Sequence, residues 1–286
     1  MRSVLGTLTA VSTMIGLAAV TECLVEIRDL SGTGGGGAGG ATGGGGASTG
    51  GASSTGGGVV GCPEGMRHIQ DEGVGADFCI DETEVTQAQY VQFLVGIGTQ
   101  MPTQPEACAS NTSFTHTPDG TCPTFTESNQ LPIWCVDWCD ARAYCEWAGK
   151  RLCKRLNGEP LGFDDDPVLG EWHFACTGGL QTAFPYGETA DDTACHIDDE
   201  ITKEPVASFP GCEGGFPDLF DMQGNVHEWV DACESDLPTA KCRVRGGGTY
   251  GSANQWRCNR VESQMGIDRL DASSRTVGVR CCADPG

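Results

Sequence analysis

Seventeen cysteines are the tightest constraint on this chain. Cys23 stands apart near the N-terminus. The other sixteen lie between Cys62 and Cys282, an even number able to pair completely. Disulfides at this density belong to an oxidising compartment. Zinc is the rival use of clustered thiols, and Cys135 with Cys139, or Cys281 with Cys282, are close in sequence. No Cys-x-x-Cys pair recurs at zinc-finger spacing, so the pattern favours disulfides, with a connectivity that spacing does not reveal.

The N-terminal part is not part of any such core. Arg2 precedes an uncharged, mostly apolar run from Val4 to Val20 that ends in small residues, so residues 1–22 read as an export signal. The run is short and rich in Thr, Ser and Gly for a spanning helix. Cys23 sits where a bacterial lipoprotein carries its lipid, although Glu22 precedes it; lipidation as a membrane tether, simple cleavage and a retained anchor all stay open. Residues 23–61 are dominated by Gly, Ala, Ser and Thr, and Ser31 to Gly58 holds almost nothing else. Such a stretch buries too little apolar surface to offset ordering and reads as a flexible linker. Gly is not at every third position and Pro is absent there, which excludes collagen. The folded domain is expected over residues 62–286, exported or displayed at a surface, and as a monomer. A net charge of −22 argues against nucleic-acid partners. Asp164-Asp165-Asp166 reads as a solvated turn.

Two helices are legible. Thr86 with Gln89 three residues on forms a capping box, Val85 and Tyr90 a hydrophobic staple, and Tyr90, Phe93, Leu94 and Ile97 one face. The second opens at Asp137, with Asp140 in its first turn and Trp138, Ala141, Cys145 and Ala148 on one face. Gly149 followed by Lys150-Arg151 marks its end. Between them, residues 98–131 read as loop, where Asn111-Thr112-Ser113 matches a glycosylation tripeptide.

The centre of the chain is Asp221-Met222-Gln223-Gly224-Asn225-Val226-His227-Glu228-Trp229. Two carboxylates flank a Gly-Asn turn, and carboxylate and turn-carbonyl oxygens are the ligands calcium prefers. This stretch resembles the Gly-Asn-Val-Trp-Glu-Trp signature of the formylglycine-generating enzyme (sulfatase-modifying factor) family. Arg243-Val244-Arg245-Gly246-Gly247-Gly248-Thr249-Tyr250 resembles the same family's Arg-Val-x-x-Gly-Gly-Ser-Tyr segment. Phe78 to Thr86, Trp138 to Leu152, Phe184-Pro185-Tyr186-Gly187 and Val277 to Cys281 resemble further family motifs, and Gly170-Glu171-Trp172 its Glu-Trp anchor behind an insert of about a dozen residues.

The resemblance implies an α+β fold akin to C-type lectins, low in regular structure, disulfide-rich and calcium-stabilised. One calcium site carries over position by position to Asp221, Gly224, Val226 and Glu228. A second is not expected, because His196 occupies the family's Asn slot and imidazole is a poor calcium ligand. The family's catalytic members hold Cu(I) between two cysteines, in a Gly-Gly-Ser-Tyr-x-Cys-x-x-x-x-Cys segment. Here Ser252 and Arg257 fill those slots, and Cys258 lies one residue too far along. A hydroxyl cannot replace a thiolate on Cu(I), and a guanidinium repels a cation, which argues against copper. No nucleophile elbow surrounds Ser252. The expectation is a binding or display module without oxidase activity, its ligand or surface partner unidentified. The alternative is an active oxygen-dependent oxidase that converts a substrate cysteine to formylglycine through a non-standard site. The C-terminal arginines Arg257, Arg260, Arg269, Arg275 and Arg280 are expected to pair with the acidic excess, or to line an anion pocket.

Overall fold

The structure is a computed structural model that describes residues 61–115, 122, 124–126, 130–180, 182–197, 202–249, 251–259, 266–271 and 276–286. The expected signal, Cys23, nearly all of the Gly-rich linker, Tyr250, Arg260 and Arg275 lie outside the described residues.

Strands β1 (Met66–Asp71) and β2 (Ala76–Asp81) form an antiparallel hairpin, with Met66 opposite Asp81. Helix α1 (Gln87–Ile97) follows. Its capping box forms as the sequence predicts: the Gln89 N–H donates to Thr86 Oγ1 at 3.2 Å, and the Thr86 N–H donates to Gln89 Oε1 at 2.8 Å. Helix α2 (Trp138–Trp147) opens on the same device, the Asp140 N–H donating to Asp137 Oδ1 at 2.8 Å. Then come β3 (Arg151–Leu152), α3 (Glu171–Thr177), β4 (His227–Cys233), β5 (Lys241–Arg245), β6 (Gly266–Asp268), β7 (Val277–Gly278) and β8 (Cys281–Ala283).

The strands form two four-stranded sheets, ordered β1-β2-β8-β3 and β6-β5-β4-β7; β7 runs parallel to β4 and the other pairs are antiparallel. The mixture is α+β, as the resemblance implies. The family's closing strand divides here: Val277–Gly278 joins one sheet and Cys281–Ala283 the other, with Val279 and Arg280 passing between.

Alternation along β4 separates two cores, because successive side chains on a strand point to opposite faces. Trp229 packs with Tyr90, Phe93 and Trp138 from α1 and α2. Val230 packs with Ile69, Phe78, Ile80, Trp172 and Phe174 from the hairpin and α3. The indole N–H of Trp229 donates to the Val136 carbonyl at 3.0 Å, so the polar edge of this buried ring is satisfied.

All sixteen cysteines of this region are paired, in eight disulfides: Cys62–Cys79, Cys108–Cys139, Cys122–Cys135, Cys145–Cys281, Cys153–Cys282, Cys176–Cys258, Cys195–Cys212 and Cys233–Cys242. The neighbours Cys281 and Cys282 face opposite sides of β8, one in each core. Two bonds therefore clamp the C-terminal strand to the end of α2 and to the segment after β3. In the loops, Asn111 of the glycosylation tripeptide is buried, and its Nδ2 donates to Asp140 Oδ1 at 2.8 Å.

Candidate functional site

The central motif turns tightly. Asp221, Gly224 and Asn225 all take positive φ, at 59°, 86° and 52°. At Gly224 any Cβ would stand 2.4 Å from the His196 carbonyl oxygen, so only glycine fits. The Gly224 N–H donates to the Gly246 carbonyl and the Asn225 N–H to the His196 carbonyl, tying the turn to the glycine run after β5 and to the loop ahead of it.

Every side chain the sequence assigns to calcium is buried. Glu228 is fully buried and pairs with the fully buried Arg280, whose Nε donates to Glu228 Oε1 at 2.9 Å. The other carboxylate oxygen accepts from the Trp172 indole N–H at 2.5 Å. Asp221 Oδ2 accepts from the Ala207 N–H at 2.5 Å. Arg280 also donates through Nη1 to the Asp81 carbonyl at 2.8 Å and through Nη2 to the Phe220 carbonyl at 2.7 Å.

A further acid belongs here to which the sequence analysis assigns no role. Glu84, in the segment entering α1, is fully buried; its Oε2 accepts from Asn225 Nδ2 at 2.8 Å and its Oε1 from the Val226 N–H at 3.0 Å. Burial first, then the charges of Asp221 and Glu228, push the Glu84 carboxyl well above the usual range. Burial likewise raises Asp221 and Glu228, against the lowering pull of Arg280 on both. The sequence carried no distinct signal for it, since Asp81 and Glu82 stand in the same stretch.

Three buried carboxylates thus cluster near Arg280, which hydrogen-bonds Glu228, while the buried Lys203 sets a second positive charge near Glu84. Each engaged oxygen keeps a second lone pair. Among the described residues, the side-chain ligand group that converges within 4.8 Å is Cys153, Glu171 and Cys282. Those cysteines form a disulfide, and Glu171 is held by both Arg151 Nη nitrogens at 2.7 and 2.8 Å. The carboxylates of the central motif therefore do not make a cage alone. A cation there needs turn carbonyls, the ligands the resemblance supplies through Gly224 and Val226.

The other slot, His196, is buried, with Nε2 3.0 Å from the Thr202 carbonyl oxygen and its ring stacked on Phe209 at 5.3 Å between centroids.

The copper slots face different surroundings. Ser252 precedes a short helical turn, and its N–H donates to Gln255 Oε1 at 2.7 Å. Arg257 donates to Asn254 Oδ1 at 2.7 Å and lies 5.6 Å from the Phe184 ring centroid. Cys258 is buried in its disulfide with Cys176. The ring of Trp256 covers Gly247, where a Cβ would meet Cγ of the indole at 2.3 Å, and it meets His227 edge-on at 4.9 Å. Gln223 of the central motif anchors this segment, its Nε2 donating to the Ala253 carbonyl at 3.1 Å and the Trp256 carbonyl at 2.8 Å. Of the C-terminal arginines, Arg280 pairs with an acid as expected; among the described residues Arg257 makes no ion pair, and Arg269 hydrogen-bonds a carbonyl with Asp236 and Asp231 acting on it through charge alone.

Residues 44–285 match the sulfatase-modifying factor enzyme 1-like domain family. The chain is 30% identical over 196 residues to the formylglycine-generating enzyme of Bos taurus, covering 58% of this chain and 48% of that protein. It is 31% identical over 198 residues to inactive C-alpha-formylglycine-generating enzyme 2 of Bos taurus, covering 61% of this chain and 57% of that protein. The chain thus spans about half the length of these curated relatives. Among solved structures, CarF matches at 19% identity with a TM-score of 0.46, covering 73% of this chain and 87% of that one.

Proposed function

The chain belongs to the sulfatase-modifying factor enzyme 1-like domain family, and from that premise we propose that it is an exported, calcium-stabilised binding module without the copper-dependent oxidation of a substrate cysteine. Overall similarity does not decide the matter, since relatives named as active and as inactive stand at 30% and 31% identity. One local observation carries the reading. The slots for the two copper thiolates hold Ser252 and Arg257, and the nearest sulfur, Cys258, is locked to Cys176 in a buried disulfide. A disulfide sulfur is not the thiolate that Cu(I) selects. The pairing of sixteen cysteines is the chemistry of an oxidising compartment and supports export. Calcium would sit at Asp221 and Glu228 with the carbonyls of Gly224 and Val226, supplying positive charge to the buried acids rather than any reaction step.

The test is conversion of a sulfatase-derived cysteine peptide to formylglycine by the disulfide-intact protein supplied with copper and oxygen, read by mass spectrometry. No conversion, with no stoichiometric Cu(I) uptake, is expected. Turnover, or one tightly held Cu(I) per chain, would establish the oxidase reading instead.

A further inference from the structure

Away from both of these places, a cleft of about 560 Å³ opens between the start of α2, the end of β4 and the segment after β6. That volume is in the range of small-molecule sites. Its floor is built around Trp138. The indole N–H of Trp138 donates to the Val230 carbonyl at 3.0 Å, and the ring carries two guanidinium groups, Arg269 with Cζ 4.8 Å from the centroid and Arg142 at 5.7 Å. Residue 269 is pinned by its backbone, its carbonyl accepting from the Trp138 N–H and its N–H donating to the Ala240 carbonyl, each at 3.0 Å.

The side chain of Arg269 is 2% exposed. Nη2 donates to the Ser235 carbonyl at 2.6 Å and Nε to Cys242 Sγ at 3.4 Å, while the buried Nη1 has no hydrogen-bond partner among the described residues. A buried charged donor left unmet is costly, so Nη1 takes its acceptor from a water or a ligand atom. Among the described residues, Arg142 spends only Nε on a hydrogen bond, to Glu146 Oε1 at 2.8 Å. In the same cleft the half-buried Asp231 accepts no hydrogen bond and makes no ion pair with its carboxylate among the described residues, although its backbone is fixed to Cys153 and Leu161. The two guanidinium groups and Asp231 thus line one cavity and act on each other through charge without a hydrogen bond between them, and Asp236 sets a second acid near Arg269.

We propose that this cleft binds a small carboxylate-bearing molecule, the carboxylate set against Arg269 Nη1 and Arg142 and a neighbouring hydroxyl or ammonium group donating to Asp231. Guanidinium groups are suited to planar carboxylates, and their stacking on Trp138 holds the fork in place before the ligand arrives. Sugar acids and amino acids both carry this pair of groups. The inference deepens the binding-module reading and rests on it.

The test is calorimetric titration of the folded, disulfide-intact protein with D-glucuronate, L-alanine, D-glucose and acetate. Saturation binding of D-glucuronate or L-alanine is expected, and which of the two binds identifies the source. D-Glucose, lacking the carboxylate, should not bind, and acetate, lacking the donor, should bind more weakly. Arg142→Gln and Asp231→Asn, both at partly exposed positions, should each weaken binding about tenfold with an unchanged unfolding midpoint. Arg269→Met should abolish binding, but that side chain is buried, so the first two variants decide the matter. Absence of binding by both acids, equal binding of D-glucose, or affinities unchanged in both partly exposed variants would overturn the proposal. Formylglycine production by a protein that still bound the acid would instead sink the non-enzymatic reading and leave the cleft standing.

Discussion

Replacing Arg280 with methionine should be the most damaging single change near the central motif. The guanidinium makes three hydrogen bonds, to the Glu228 carboxylate and to the Asp81 and Phe220 carbonyls, at 2.9, 2.8 and 2.7 Å. Both members of the ion pair are fully buried, so the change strands a carboxylate already raised by burial and by the charge of Asp221. Removing one partner of such a pair costs about 3–5 kcal/mol, against about 5–15 kcal/mol for the whole stability of a typical domain. The midpoint of guanidinium unfolding, followed by tryptophan fluorescence with disulfides intact, should fall by about 1 M in EGTA. The fall should be smaller in calcium, because a bound cation leaves the orphaned acid a counter-charge. Adding Glu228→Gln to Arg280→Met should recover part of the loss, since a neutral amide no longer needs the guanidinium. A loss below about 1 kcal/mol in EGTA, or no recovery in the double variant, would refute the view that this pair organises the motif.

Asp137 is the pH-sensitive cap: burial lifts its carboxyl to about 6, against hydrogen bonds from the Asp140 and Cys139 N–H groups. The folded state then holds the proton more tightly than the unfolded state, so stability should fall as pH rises from about 4 to about 6. Asp137→Asn keeps a competent cap and should flatten that slope in unfolding measured against pH; an unchanged slope would remove Asp137 as its cause. Gly224→Ala combines a φ of 86° with a Cβ 2.4 Å from the His196 carbonyl and should cost at least about 2 kcal/mol in the same unfolding assay, more than an ordinary surface change. Titration of the unreduced, denatured domain over residues 62–286 with a thiol reagent should find no free thiol, and substituting serine for both Cys145 and Cys281, whose bond spans 136 residues, should cost up to about 5 kcal/mol by denaturant unfolding. One free thiol per chain would break the pairing scheme.

What the sequence discloses is mostly local. Both capping boxes form where Thr86-x-x-Gln89 and Asp137-x-x-Asp140 place them, because a cap is a contact between residues three apart. Cysteine parity announces complete pairing, yet it is silent on partners, since the pairing of Cys145 with Cys281 depends on where β8 runs relative to α2. The adjacency of Cys281 and Cys282, suggestive of a metal site in one dimension, is explained by strand alternation in three. The same limit hides the role of Glu84. Its partners Asn225 and Val226 lie about 140 positions away, and only the assembled fold shows that the opening motif and the central motif form one hydrogen-bonded unit.

That unit explains how the fold accommodates Ser252 and Arg257. Glu84, Asp221, Glu228 and Arg280 are buried, and loss of either Glu228 or Arg280 strands the charge of the other in the interior. Ser252 and Arg257 lie on a segment outside that network, where Arg257 is exposed over Phe184 and Ser252 caps a short turn. Exchanging a thiol for a hydroxyl or a guanidinium there disturbs no buried charge and opens no core cavity. The oxidative chemistry is separable from the scaffold for this physical reason, whereas the cleft over Trp138 is not separable in the same way. Arg269 is fixed by the backbone of α2 and by the loop before β5, and Trp138 hydrogen-bonds β4. Its binding groups are therefore held in place by the same core that holds the central motif, and they persist whether or not copper thiols are present.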